Sequence, residues 1–152
     1  MSAIQKQNLS LAGEYAVASE LCRRGLYAQV TFGNMKRTDL LAYDSKADRE
    51  LRIEVKSKQG RMWPFVKGIA GSNAFLIFLD FEKKSFKERA DFYILSVLDW
   101  KRYLNKYVIG RYGREAHINK DNCPIWKGAP AGISVEPNEI SKHKEAWEKI
   151  SR

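Results

Sequence analysis

The chain reads as an α/β protein built on a mixed β-sheet of about five strands flanked by helices, and three observations predict that class. Apolar residues within 10–24 recur at helical spacing, those of 50–57 alternate at strand spacing, and 74–81 form a nearly unbroken apolar run. Their order is a helix, three strands as a meander, a crossover, two more strands and then helices. The 152 residues fit one ordinary domain, 1–152, with a core over about 10–97 and a C-terminal extension over about 98–152.

Ser10 is the expected N-cap of the first helix and Gly25 its C-terminal stop. Leu11, Ala18 and Leu21 share one stripe, and Glu14 falls inside it. A carboxylate on the buried side of a helix costs free energy unless something pairs with it, and this marks Glu14. A short strand is expected around Tyr27–Thr31, then a turn at Gly33-Asn34, then a second strand over Asp39–Asp44, with Ser45–Asp48 as turn material. In the third strand, Glu50–Ser57, Leu51, Ile53 and Val55 face one way while Arg52, Glu54 and Lys56 face the other. Ala74–Phe81 reads as a central strand covered on both faces, and Phe92–Ser96 as another strand. Ser96 and Asp99 form a capping box that opens a helix through about Tyr107. Residues 108–138 are rich in Gly, Pro and Asn and show no clear period; so long a loop is either functional or contains short elements. A last helix from about Ile140 would place Ile140, Trp147 and Ile150 on one stripe.

Lys and Arg number 27 against 18 Asp and Glu, a net charge of +9. A domain this basic commonly meets a polyanion, and nucleic acid is the usual one; a well-solvated surface is the plain alternative. No apolar run reaches the roughly 18 residues of a membrane-spanning helix, and MSAIQKQNLS lacks the parts of a signal peptide, so a cytoplasmic address is expected. Cys22 and Cys123 belong to no CxxC pair and read as free thiols. His117 and His143 have no ligand spacing with each other or with Cys123, which argues against a zinc site. There is no phosphate-binding loop, dinucleotide fingerprint or nucleophile elbow.

Strand alternation sets Glu54 and Lys56 side by side on one face. Asp39 opens the neighbouring strand, and pivoting the pairing about Ser45–Asp48 matches Tyr43 with roughly Glu50 and Asp39 with roughly Glu54. Two carboxylates held together repel, and a cation can intervene. Oxygen ligands suit Mg²⁺ or Mn²⁺, which keep several waters and bind one or two carboxylates plus phosphate. A lysine beside such an ion can orient an attacking water and stabilise charge on a scissile phosphate. Glu14, facing the sheet from its helix, could hold a water or a second ion. The plain alternative is a surface Glu–Lys ladder with Asp39 capping a turn.

At these residues the chain resembles a known family. Gly13-Glu14, Gly25, Gly33-Asn34, Thr38-Asp39-Leu40-Leu41 and Ile53-Glu54-Val55-Lys56 look like the PD-(D/E)XK, or restriction-endonuclease-like, nuclease superfamily. Within it the likeness is to archaeal Holliday junction resolvase-like and small uncharacterised endonuclease-like proteins. It covers roughly residues 10–97 and is densest between 13 and 60. Thr38 stands where the superfamily name has proline, and beyond about residue 97 no specific likeness extends. The resemblance implies a magnesium-dependent nuclease site: metal ligands Asp39 and Glu54, assisted by Glu14 and the Val55 carbonyl, with Lys56 as the catalytic lysine. Many members act as dimers, so a homodimer is the implied assembly, through the Trp63–Phe65 loop or the final helix.

Lys36 and Arg37 would sit at the mouth of the acidic site and suit phosphate contacts, and Lys58, Gln59 and Arg61 follow the motif strand as further nucleic-acid contacts or as merely solvated residues. Trp63 and Phe65 lie in a basic loop where aromatics can stack on bases, form an interface or close over the core. The leading expectation is a divalent-metal-dependent nuclease, an endonuclease acting on DNA with Mg²⁺ (or Mn²⁺). The competing expectation is a nuclease fold used as a nucleic-acid-binding or protein-interaction module without catalysis.

Overall fold

A computed structural model describes residues 3–32, 35 and 37–151, with side chains from residue 5 onward. In chain order the elements are α1 (Ala3–Arg23), β1 (Tyr27–Val30), β2 (Leu40–Asp44), β3 (Arg49–Lys58), β4 (Trp63–Val66), β5 (Ala74–Asp80), β6 (Asp91–Ser96), α2 (Val97–Leu104), β7 (Ala116–Ile118), β8 (Pro124–Trp126) and β9 (Ile133–Val135). A five-stranded mixed sheet has the order β1-β2-β3-β5-β6. Its β3–β5 pair is parallel and the others are antiparallel. The expected fold class therefore holds.

The sheet carries a core on each face. Val17 and Leu21 of α1 pack with Leu51, Ile53, Val55, Ile77 and Ile94 on one side. Trp63, Leu76, Phe78, Leu95 and Trp100 fill the other, under α2. All seven residues of β5 are buried, as a strand covered on both faces requires. The Ser96–Asp99 capping box is present, and α2 continues through a π-helical turn at Asn105–Ile109.

Three expectations need correction. The first helix begins at Ala3, not near Ser10, because Gln, Lys and Leu favour helix and nothing before Ser10 breaks it. Leu11 is 45% exposed, so the buried stripe runs through Gly13, Val17, Glu20 and Leu21 instead. Residues after Ile140 form no long helix: Pro137–His143 and Trp147–Lys149 are separate 3₁₀ turns. Ile140 joins the α2-side core while Trp147 and Ile150 join the α1-side core, so this segment wraps the β6 edge. Lys144 bridges to Tyr93 there, and the Glu145 amide donates to the Phe92 carbonyl. Those main-chain bonds compete successfully with helix. The 108–138 stretch contains short elements, a β7–β8 hairpin and β9 paired with β4. The Gly33-Asn34 turn lies outside the described residues.

Candidate active site

β3 is ten residues long, β2 only five, and their pairing ends at Leu40↔Ile53. Tyr43 is opposite Glu50, the register that the Ser45–Asp48 pivot predicts. Leu40 and Ile53 are paired and both belong to the α1-side core, so alternation turns Glu54 and Lys56 to the opposite face, while Asp39, just before β2, reaches the main chain of β3 with its side chain. Beyond this point the β2 side of β3 has no strand partner among the described residues, and a side chain takes over. The Asp39 amide donates to the Ile53 carbonyl at 2.8 Å, and Asp39 Oδ2 accepts the Val55 amide at 2.6 Å. Thr31 pins the same corner, its hydroxyl donating to the carbonyls of Thr38 (2.8 Å) and Asp39 (3.1 Å).

Glu54 is 4% exposed. Its Oε1 receives the Lys56 ammonium at 2.7 Å, while its Oε2 is buried without a hydrogen-bond partner among the described residues. Lys56 keeps a third of its side chain in solvent. Glu14 approaches from α1. Burial, and then the Asp39 carboxylate, push its acid upward, and the Lys56 charge opposes them. Glu14 is therefore electrostatically coupled to both Asp39 and Lys56. The close seating of α1 depends on Gly13, where a Cβ would fall 1.8 Å from Ser57 Oγ and 3.2 Å from its Cβ. Val55 lies between the two motif residues, its side chain buried and its amide held by Asp39.

The donor set is hard oxygen. Among the described residues no group of three or more His, Cys, Asp or Glu side chains forms a metal cage. Mg²⁺ and Mn²⁺ do not require one, since they retain water and accept as few as one or two carboxylates. The buried Glu54 Oε2, without a partner among the described residues, fits such an ion, because a buried carboxylate oxygen without a donor is costly.

The expected nucleic-acid contacts separate. Lys36 lies outside the described residues. Arg37 is half-buried and donates to the Asp121 carbonyl at 3.2 Å. Gln59 and Arg61 are exposed, Arg61 sharing a 3.5 Å ion pair with Glu136. Lys58 is a correction. It is 3% exposed, and its ammonium is spent on Asp80 (2.6 Å), Glu82 (3.4 Å) and the Gly60 carbonyl (2.9 Å), with the Trp63 ring 4.9 Å away. It braces β3 against β5 and offers nothing to a phosphate. Trp63 closes over the core, its indole N–H donating to the Leu79 carbonyl at 3.0 Å, whereas Phe65 is exposed.

Arg52 went without an assigned role in the sequence reading, although the alternation of β3 already sets it on the face of Glu54 and Lys56. It is exposed, and with Arg37 and Asp121 it lines a cavity of about 170 Å³. His117 is exposed. His143 is buried with its Nδ1 2.7 Å from the Lys149 ammonium. Cys22 is exposed and Cys123 buried, both as free thiols. No helix among the described residues is long and apolar enough to cross a membrane.

No protein-family model matches the chain, and no curated protein matches it. Among solved structures, the bacterial homing endonuclease I-Ssp6803I superposes with a TM-score of 0.52 at 13% identity, over 95% of this chain and 92% of that one. At that identity the likeness is one of fold. The chain thus shares its α/β fold with a homing endonuclease over nearly its whole length.

Proposed function

We propose that the chain is a divalent-metal-dependent endonuclease of the PD-(D/E)XK kind, hydrolysing phosphodiester bonds of DNA. The observation that carries the reading is the buried Glu54 Oε2, without a hydrogen-bond partner among the described residues, in a carboxylate whose other oxygen holds the Lys56 ammonium and whose neighbour Val55 is bonded to Asp39. A soluble domain does not keep an uncompensated carboxylate oxygen without cost. The fold likeness to a homing endonuclease and the net charge of +9 support the same reading.

Asp39 and Glu54 would hold Mg²⁺ or Mn²⁺, with Glu14 and the Val55 carbonyl as assisting oxygens. Such an ion supplies Lewis-acid polarisation of a phosphate oxygen and eases deprotonation of water. The residues of the chain do the rest. Lys56, anchored at 2.7 Å on Glu54 Oε1, is fixed where it can orient a water and donate to the charge building on the phosphate. Asp39 is fixed by the Val55 amide, so its remaining oxygen points from a rigid strand corner. Glu14, whose protonated form burial favours, can exchange a proton beside Asp39. The net reaction breaks one P–O bond, with water giving hydroxyl to phosphorus and a proton to the departing oxygen.

The test is cleavage of labelled DNAs (duplex, nicked, flap, four-way junction, single strand and supercoiled circle) with Mg²⁺ or Mn²⁺, beside Glu54→Gln and Lys56→Ala. Metal-dependent cutting should fall on the order of 10²-fold or more in either variant. The thermal midpoint of the unaltered protein should rise with Mn²⁺, and less so in Glu54→Gln. Undiminished cutting by a folded variant would sink the mechanism. Salt-sensitive binding with no cutting of any DNA would favour the binding-module reading.

A further inference from the structure

Alternation along β3 places Arg52 one two-residue step, roughly 6.6 Å, from Glu54 on the same face. Arg37 lies two residues before Asp39 in the sequence, in a turn rather than a strand. Both arginines line the cavity of about 170 Å³. A water takes roughly 30 Å³ of liquid volume, so the space suffices for a phosphate group. Arg52 is exposed and takes part in no ion pair among the described residues. Gly71 lies against its guanidinium: a Cβ there would come within 2.6 Å of Nη2. The Arg52 amide also donates to the Asn73 carbonyl at 3.0 Å, which ties the strand to the same loop. Arg37 is steadied from the far end of the chain through the Asp121 carbonyl. Two arginines lining one small cavity suit a phosphate, which arginine binds through paired N–H donors. Asp121 lines the cavity too, so the three charged residues of its lining carry one net positive charge.

We propose that Arg37 and Arg52 form a phosphate subsite that seats the phosphodiester next to the one presented to Asp39, Glu54 and Lys56. The nucleic-acid strand then runs along β3, and Arg52 acts as a positioning residue that sets which bond meets the carboxylates. This rests on the reading of the face as a nuclease site. Asp121 acts as a brake on binding, because its charge opposes the incoming phosphate.

Binding of a short fluorescein-labelled DNA duplex is measured by anisotropy across a salt series in EDTA, for the unaltered protein, Arg52→Gln, Arg52→Lys and Asp121→Asn. Steady-state cleavage with Mg²⁺ follows for each. Losing one phosphate contact should reduce the slope of log K against log salt by about 0.9. Arg52→Gln should show that loss and a KM raised more than kcat is lowered. Arg52→Lys should keep the slope, and Asp121→Asn should tighten binding. Arg52→Gln should melt with the unaltered protein, since its side chain is exposed and without an ion pair. An unchanged slope in Arg52→Gln, or no tightening in Asp121→Asn, overturns the subsite while leaving the nuclease reading standing if the unaltered protein cuts. An unaltered protein that neither binds nor cuts DNA overturns both.

Discussion

Asp39 Oδ2 accepts the main-chain amide of Val55 at 2.6 Å, so the carboxylate at the entry to β2 is bonded to the residue between Glu54 and Lys56. With the bond from the Asp39 amide to the Ile53 carbonyl, it carries the contact between the two strands past their last pair, Leu40↔Ile53. Asp39→Ala should leave the Val55 amide unsatisfied and cost about 1–3 kcal/mol in stability. Asp39→Asn keeps an acceptor and should cost much less. Both should lose cleavage. Urea denaturation of the pair separates the two roles, and an Asp39→Ala variant as stable as the unaltered protein would make the bond incidental.

Glu14 gives a prediction in pH. Its acid is raised above the ordinary value by burial and by Asp39, against the pull of Lys56. A raised folded-state acid means that the ionised form is the disfavoured one. The penalty is absent below the unfolded pKa near 4.5 and fully present once pH exceeds the raised value. Glu14→Gln should therefore raise the thermal midpoint at pH 7, leave it unchanged in strong acid, and lower cleavage. A midpoint at pH 7 that falls on substitution would contradict this account of the site.

Lys58 should behave as a brace. Removing it leaves Asp80 buried without its 2.6 Å partner, and breaking a buried pair from one side costs roughly 3–5 kcal/mol. Lys58→Ala should unfold at lower temperature by several degrees, and Asp80→Asn added to it should recover part of the loss. The salt slope of DNA binding, taken where the variant is folded, should not change. A reduced slope would return Lys58 to the nucleic-acid contacts.

His143 predicts acid sensitivity away from the site. Burial, and next the neighbouring Lys149 ammonium, hold its imidazole down to about 4, whereas an unfolded histidine titrates near 6.5. The unfolded chain binds the extra proton first, so stability present above pH 6.5 is lost as pH falls toward 4. The full effect is on the order of 3 kcal/mol. Asp99 does not mask it: although its own burial works the other way, hydrogen bonds from Ser96 and Lys149 hold its acid at about 2. Denaturation at pH 7 and pH 4.5 should show the loss in the unaltered protein and a smaller one in His143→Gln.

Much of the fold and the corner of the site follow from local patterns. Alternation along 50–57 and the Ser45–Asp48 turn are enough to pair Tyr43 with Glu50, and with that register Asp39 must arrive beside Glu54. The apolar 74–80 segment can only be a strand covered twice. A strand's side-chain period is short-range geometry, so residues close in sequence carry it whole.

What covers a face is a different matter, because the covering segment comes from elsewhere in the chain. Lys56 and Lys58 share one face of β3, yet Lys56 is a third exposed while Lys58 is buried among Trp63, Asp80 and Glu82. The turns after Ile140 split their apolar residues between two cores because the β6 edge offers main-chain partners that a helix would forgo. Arg37 and Arg52 line one cavity, where Arg37 is bonded to the carbonyl of Asp121, far along the chain. Alternation names the face of each residue; long-range packing and hydrogen bonding settle whether that face meets solvent, a core or a neighbouring charge.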